Sequence, residues 1–222
     1  MSDQLVLRTV PEDGVVTLTL NRAEKKNALS IAVRDELSDA LDELAGDDTV
    51  KTVVVTGAGD VFSAGFDLRE FQQPELTEQL WKSSDRFHAT VLRFPLPIVA
   101  AVNCPAIAGG FDLAVMCDVR VAAETARFSH PEIEFGDVVY GPLRDVVGGG
   151  LARELCFTGR VVEAEEAKAI GLVASVVPVG ALADEVARYT KMIDRAPRDV
   201  LLRTKAKAIR RAAVVEGNTL DL

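Results

Sequence analysis

The stretch that most constrains this chain runs from residue 98 to 136 and reads IVAAVNCPAIAGGFDLAVMCDVRVAAETARFSHPEIEFG. Ile98 to Val102 is a short apolar run of the kind that makes a fully buried strand. A loop follows, then Gly109-Gly110, then an apolar segment from Phe111 to Cys117 that suits a buried helix. Paired glycines at a helix start leave free N–H groups and a partial positive charge open to a closely approaching ligand. That arrangement suits a developing oxyanion. Two acids flank it: Asp112, one turn into the helix, and Glu132, after a second apolar run from Val119 to Ala123.

The rest of the chain alternates short strands with helices. Leu5 to Val10 and Val15 to Leu20 read as strands joined by a turn at Asp13-Gly14. Ser30 is placed to cap a helix in which Val33, Leu37, Leu41 and Leu44 recur at helical spacing. Thr52 to Thr56 reads as a buried strand, and Pro74 to Phe94 as one or two helices. Glu163 to Ile170 reads as a short helix ended by Gly171, Leu172 to Val177 as a strand, and Gly180 to Asp194 and Pro197 to Val215 as helices. Pattern alone admits either a spiral of strand–strand–helix turns or a doubly wound sheet.

Composition narrows the function. A formal net charge of −9 argues against a nucleic-acid binder, which carries a basic stripe. Hydrophobic residues make up 48% of the 222, enough for a real core. Cys104, Cys117 and Cys156 are odd in number, lie in apolar surroundings and lack metal-ligand spacing, so they read as buried reduced thiols in a cytoplasmic protein. No apolar run approaches a membrane span, and MSDQLVLRTV does not read as a signal peptide. The run Gly148-Gly149-Gly150 reads as a turn, since no Lys and Ser/Thr follow it as in a phosphate loop.

Four ordered segments resemble the crotonase (enoyl-CoA hydratase/isomerase) superfamily: NRAEKKNAL at 21–29, VVVTGAGDVFSAGFDL at 53–68, AIAGGFDLAVMCDVRVAAETARFSHPEIEFG at 106–136, and LCFTGRVVEAEEAKAIGLVASVVP at 155–178. The resemblance implies an α/β crotonase-like (ClpP/crotonase) spiral of ββα turns, with a spiral core over 1–178 and a shortened C-terminal helical region over 179–222. It implies a 2-enoyl-CoA hydratase, with the Phe66 and Gly109 N–H groups as oxyanion hole. Glu132 would be the main acid/base, and Asp112 would stand where family hydratases carry a second glutamate. Coenzyme A contacts would come from Lys25, Ala28, Ala64, Asp67, Leu68 and Gly110. No metal and no further cofactor are implied. The expected partner is the acyl-CoA substrate alone, without nucleic acid or membrane, in a homotrimer or dimer of trimers.

Three departures from the family pattern bear on the reaction. Asp112 is one methylene shorter than glutamate. His130 precedes Pro131-Glu132 where a glutamine is common, either tuning the acid or sitting as a hydrogen-bonded loop histidine. The loop after Gly136 is shorter, and Tyr140 there either reaches into the pocket or packs. These keep two rivals open: a Δ3,Δ2-enoyl-CoA isomerase using Glu132 alone, and a catalytically weak acyl-CoA-binding subunit. A hydrolase remains a further alternative through His130. Glu134 is expected to face solvent, and His88 to be a surface or packing histidine. Asp118, Arg120 and Arg127 are expected to be structural, the arginines through ion pairs. Arg203, Lys205, Lys207, Arg210 and Arg211 are expected to form a solvated basic face.

Overall fold

A computed structural model describes residues 4–10 and 12–212. The strands are β1 (Val6–Arg8), β2 (Val15–Leu20), β3 (Thr52–Gly57), β4 (Ile98–Val102), β5 (Ala106–Ile107), β6 (Val119–Ala123), β7 (Arg127–Ser129), β8 (Val162–Glu163) and β9 (Ser175–Val177). The α-helices are α1 (Ile31–Ala45), α2 (Thr77–Arg93), α3 (Gly109–Met116), α4 (Gly141–Val147), α5 (Gly149–Thr158), α6 (Ala164–Ala169), α7 (Leu182–Asp194) and α8 (Arg198–Arg211).

Six strands form one sheet in the order β1-β2-β3-β4-β6-β9, and β5, β7 and β8 form a second. Only the β1–β2 pair of the large sheet is antiparallel, turned by Asp13 and Gly14 at φ 48° and 74°. From β2 onward each strand is added in parallel on the same side of the last. A doubly wound sheet reverses direction at a switch point. None occurs here, and β5 and β7 leave the large sheet to start the second. The architecture is therefore the spiral.

Alternation explains why the central strands read as unbroken apolar runs. Val53, Val55, Ile98, Ala100, Val102 and Ala122 enter the main core with α1, α2 and α3. Val54, Val99, Ala101, Val121 and Ala123 face the other way and pack against Leu182 and Val186 of α7. On α1, Val33, Leu37, Leu41 and Leu44 are buried, each contributing about 1.5–3 kcal/mol. Ser30 caps that helix by accepting a hydrogen bond from Val33 N–H.

Several readings need correction. Cys104 is only half-buried, because it lies in the loop after β4, whereas Cys117 and Cys156 are buried. Gly148 alone is the turn, and Gly149 and Gly150 already belong to α5. Arg120 makes no ion pair among the described residues; it is buried and donates to the Leu172, Cys117 and Ala114 carbonyls. Lys205 is not on a solvated face but 6% exposed, paired at 2.5 Å with Asp118, whose carboxylate also accepts from Ile98 N–H. The last helix ends at Arg211; the reading that carried it to Val215 runs beyond the described residues. Among the described residues no helix is long and apolar enough to cross a membrane.

Candidate active site

The site begins with a close approach of two backbone segments. Ile107 N–H donates to the Ser63 carbonyl at 2.9 Å, and Leu29 N–H to the Gly65 carbonyl at 2.8 Å. Between these bonds the Ser63–Phe66 loop lies against the first turn of α3. A β-carbon on Gly65 would stand 2.8 Å from Ala108 Cβ, one on Gly109 2.7 Å from the Phe66 ring, and one on Gly110 2.4 Å from the Ser63 carbonyl oxygen. No side chain fits at any of the three. Ala108, at φ 52° and ψ −129°, turns the chain into α3, held by its N–H donating to the Ser129 carbonyl at 2.9 Å. Such a conformation costs an alanine about 1–3 kcal/mol.

This packing sets two amides side by side. Gly109 N–H opens α3, so it has no intrahelical acceptor. Neither it nor Phe66 N–H donates to any acceptor among the described residues. A β-carbon on Gly109 would lie 3.6 Å from Phe66 N, so the two donors are neighbours. Two adjacent free amides at a helix start form an anion-stabilising pair.

Arg34 holds this arrangement from below. Fully buried on α1, it donates to the Leu29 carbonyl at 2.7 Å, to the Leu80 carbonyl at 3.2 Å and to Ser83 Oγ at 3.2 Å. Its guanidinium lies 4.3 Å from the centre of the Phe66 ring. Burial lowers its pKa to about 10, an effect offset in part by Glu70 and Asp35. Asn27, buried at φ 50°, stitches the neighbouring turns: it accepts from Arg22 N–H and donates to the Ala58 and Val61 carbonyls. Arg34 and Asn27 were not singled out in the sequence as site residues. Asn27 stands inside NRAEKKNAL, which was a usable signal. An arginine at a core-facing helical position was the signal for Arg34.

The acid cluster lies one turn into α3. Asp112 is 5% exposed. His130 ends the segment after β7, and Glu132 sits on the 3-10 turn Pro131–Glu134. His130 Nδ1 is 3.0 Å from Glu132 Oε1 and 3.6 Å from Asp112 Oδ1, a hydrogen bond to the first and an electrostatic contact to the second. The imidazole is buried and stacks on Phe111 at 4.6 Å between ring centres. Asp112 Oδ1, Glu132 Oε2 and His130 Nε2 are buried with no hydrogen-bond partner in the protein. The turn is pinned from behind: a β-carbon on Gly159, at φ 60°, would meet the His130 carbonyl oxygen at 2.8 Å.

Burial pushes the Asp112 carboxyl up to about 7, with Glu132 adding to the effect and His130 opposing it. Burial works against the charge on His130, yet the Asp112 and Glu132 carboxylates outweigh it and raise its pKa. The Cys156 thiol, from α5, is pushed up to about 11 by burial and by the same two carboxylates. Asp112, His130 and Glu132 hold ligand-type atoms within 4.8 Å of one another. His130 already uses Nδ1 to bond one of these carboxylates.

The structure thus brings together Phe66, Gly109, Gly110, Asp112, His130 and Glu132. Glu134 is exposed. Tyr140 packs on the core, and a β-carbon on Gly149, at the start of α5, would lie 3.5 Å from its hydroxyl. Of the residues read as coenzyme A contacts, Lys25 and Leu68 are exposed, and Ala28 and Ala64 are half-buried on the same stitched turns. Asp67 is taken by Arg22 at 2.8 Å, so its carboxylate is structural. His88, read as a surface or packing histidine, is 2% exposed and packs; burial lowers it to about 4, and its ring centre lies 6.1 Å from that of Phe66. Two clefts of about 560 and 360 Å³ lie elsewhere, one under α7 and one between α8 and the end of α3.

A family model described as enoyl-CoA hydratase/isomerase matches residues 11–219. A Thermus thermophilus protein with an enoyl-CoA hydratase name is 40% identical, covering 87% of this chain and 82% of its own. The 2,3-dehydroadipyl-CoA hydratase of Escherichia coli is 33% identical, over 100% of this chain and 90% of its own. Among solved structures, an enoyl-CoA hydratase of Mycobacterium smegmatis superposes with a TM-score of 0.88 at 36% identity, covering 96% of this chain and 86% of that one.

Proposed function

The chain belongs to the enoyl-CoA hydratase/isomerase family, and from that premise we propose that it adds water across the double bond of a 2-enoyl-CoA thioester at the cluster of Asp112, His130 and Glu132. The observation that carries the reading is one juxtaposition. Two free amides stand at the start of α3, and two buried carboxylates with unsatisfied oxygens stand one turn beyond.

The reaction follows from what each group does. The thioester oxygen accepts from Phe66 and Gly109 N–H. Asp112 Oδ1 and Glu132 Oε2 each accept one hydrogen of a single water. The water oxygen bonds to the β-carbon, the double-bond electrons move onto the thioester oxygen, and Glu132 Oε2 takes a water proton. Glu132 then returns that proton to the α-carbon, so one water supplies both H and OH. Two preorganised donors at the developing oxyanion are worth roughly 3–4 kcal/mol each, and the acid/base group about 10²–10⁴-fold. This is acid–base chemistry on the thioester itself and calls on no metal or further cofactor.

Loss of conjugated-thioester absorbance with a short 2-enoyl-CoA tests it. Turnover is expected in wild type, with a fall of at least about 100-fold in Glu132→Gln and a smaller fall in Asp112→Asn. An inactive wild type overturns the hydratase reading. One observation favours a second reaction: burial pushes the carboxyl of Asp112 up to about 7, whereas Glu132 keeps Oε2 without a hydrogen-bond partner, placed to move a proton alone. That suffices to move a proton in a 3-enoyl-CoA, and gain of conjugated absorbance from that substrate would mark an isomerase. The same reading includes a homotrimer or dimer of trimers in the cytoplasm. The standing of Phe135 and Phe157 at 69% and 74% exposure supports self-association, and the molar mass in solution tests it.

A further inference from the structure

We propose that His130 is a positioning residue of this reaction: its imidazolium, bonded to Glu132 and paired at close range with Asp112, lets two buried carboxylates stand ionised around one water. The inference rests on the hydratase reading above and extends it to a group that the two-carboxylate scheme does not require.

Geometry carries the argument. Two carboxylates enclosed together cannot both ionise cheaply; one retains a proton unless a positive charge intervenes. Here the group between them is an imidazole, with Nδ1 at 3.0 Å from Glu132 and 3.6 Å from Asp112. The ionisable groups facing this trio are few. Asp112 comes from α3, Glu132 from the same turn as His130, and Cys156 from α5; its thiol, raised to about 11, brings no charge. No lysine or arginine among the described residues contributes to the electrostatics of Asp112 or His130. His130 is thus the only cation among the described residues that acts on the Asp112 carboxyl. Its ring is buried and held by stacking on Phe111.

The bond to Glu132 Oε1 has a second effect. It engages Oε1 and leaves Oε2 without a partner, so the unsatisfied oxygen is the one that handles the water proton. The two carboxylates raise the titration of His130, and His130 in turn opposes the burial that pushes the Asp112 carboxyl up to about 7.

The chain has two histidines, His88 and His130, so its imidazoles can be followed individually by NMR of ¹⁵N-histidine-labelled protein. His130→Asn removes one signal and assigns the other. We expect His130 to be charged at pH 7 and to titrate above the ordinary value of about 6.5. Asp112→Asn and Glu132→Gln, both isosteric, should each lower its midpoint by about one unit or more. In the enzyme assay, His130→Asn keeps an amide N–H near the Nδ1 position but loses the charge. Its kcat/KM profile should have an acid limb shifted up by about one unit or more, with KM changed less than twofold. A neutral His130 at pH 7, or a midpoint unmoved by both carboxylate variants, overturns the proposal. So does a His130→Asn variant that loses the same factor of activity at every pH. If wild type hydrates no enoyl-CoA, the hydratase reading fails, and the NMR titration still decides whether the charge clamp exists.

Discussion

Gly110→Ala is the substitution most directly sized by this structure. The new β-carbon would stand 2.4 Å from the Ser63 carbonyl oxygen and 2.8 Å from Ser63 Cβ, where ordinary contact begins at 3.4 Å. The neighbour to the added methyl is backbone, so α3 and the Ser63–Phe66 loop must separate by about 1 Å. Alanine within a helix is intrinsically better than glycine by about 1 kcal/mol. Overpacking costs about 1–3 kcal/mol, so the net stability loss is expected at only about 0–2 kcal/mol. The catalytic effect should be larger. Phe66 N–H and Gly109 N–H lie on opposite sides of the seam being opened, and a misplacement of about 1 Å costs about 100-fold. We therefore expect kcat/KM for a 2-enoyl-CoA to fall about 100-fold while the protein remains folded at about 25 °C, read by thioester absorbance and thermal melting. Gly180→Ala, where a β-carbon meets nothing within 4 Å, is the control and should be silent in both assays. If Gly110→Ala keeps activity within about threefold of wild type, well short of that loss, the close approach does not set the oxyanion donors and the reasoning fails.

Other expectations follow from the same interior. Arg34→Met strands the Leu29 and Leu80 carbonyls and removes the guanidinium from the Phe66 ring, so urea unfolding should show a loss of about 3–5 kcal/mol; Arg34→Lys should not restore it, since an ammonium lacks the planar fork. Asp112 carries a folded-state pKa of about 7 against an unfolded value near 3.9, so the unfolded state binds fewer protons between those values and stability falls as pH rises through that window. Asp112→Asn abolishes this cost: above pH 7 it should exceed wild type by about 1–3 kcal/mol, with the gap closing toward pH 4. A gap independent of pH would refute the assignment.

Much of the fold was legible in the sequence. The apolar runs at 52–56, 98–102 and 119–123, the Ser30 cap and the Gly109-Gly110 pair each appear as local structure, because period, capping chemistry and glycine placement act over a few residues. Asp112 and Glu132 could be singled out as a pair for the same reason, each being an acid beside an apolar run. Other features depended on neighbours far away in the chain. Lys205 and Asp118 are 87 positions apart, and nothing near Lys205 marks it for burial. The role of Arg34 depends on the Leu80 carbonyl and the Phe66 ring, 46 and 32 positions away, which only the fold brings to it. The packing of Tyr140 on the core, with its hydroxyl toward the start of α5, likewise depends on where that helix lies.

What the sequence determined by itself was the order of elements, the glycines that permit two backbones to touch, and the chemical identity of the acids. The tertiary structure alone decided the winding of the sheet and the meeting of α3 with the Ser63–Phe66 loop. It also decided the place of His130 between two carboxylates. The physical reason is one of range. Backbone propensity and hydrophobic period act over a turn or a strand, whereas the charge state of a buried acid depends on which distant groups the fold encloses with it.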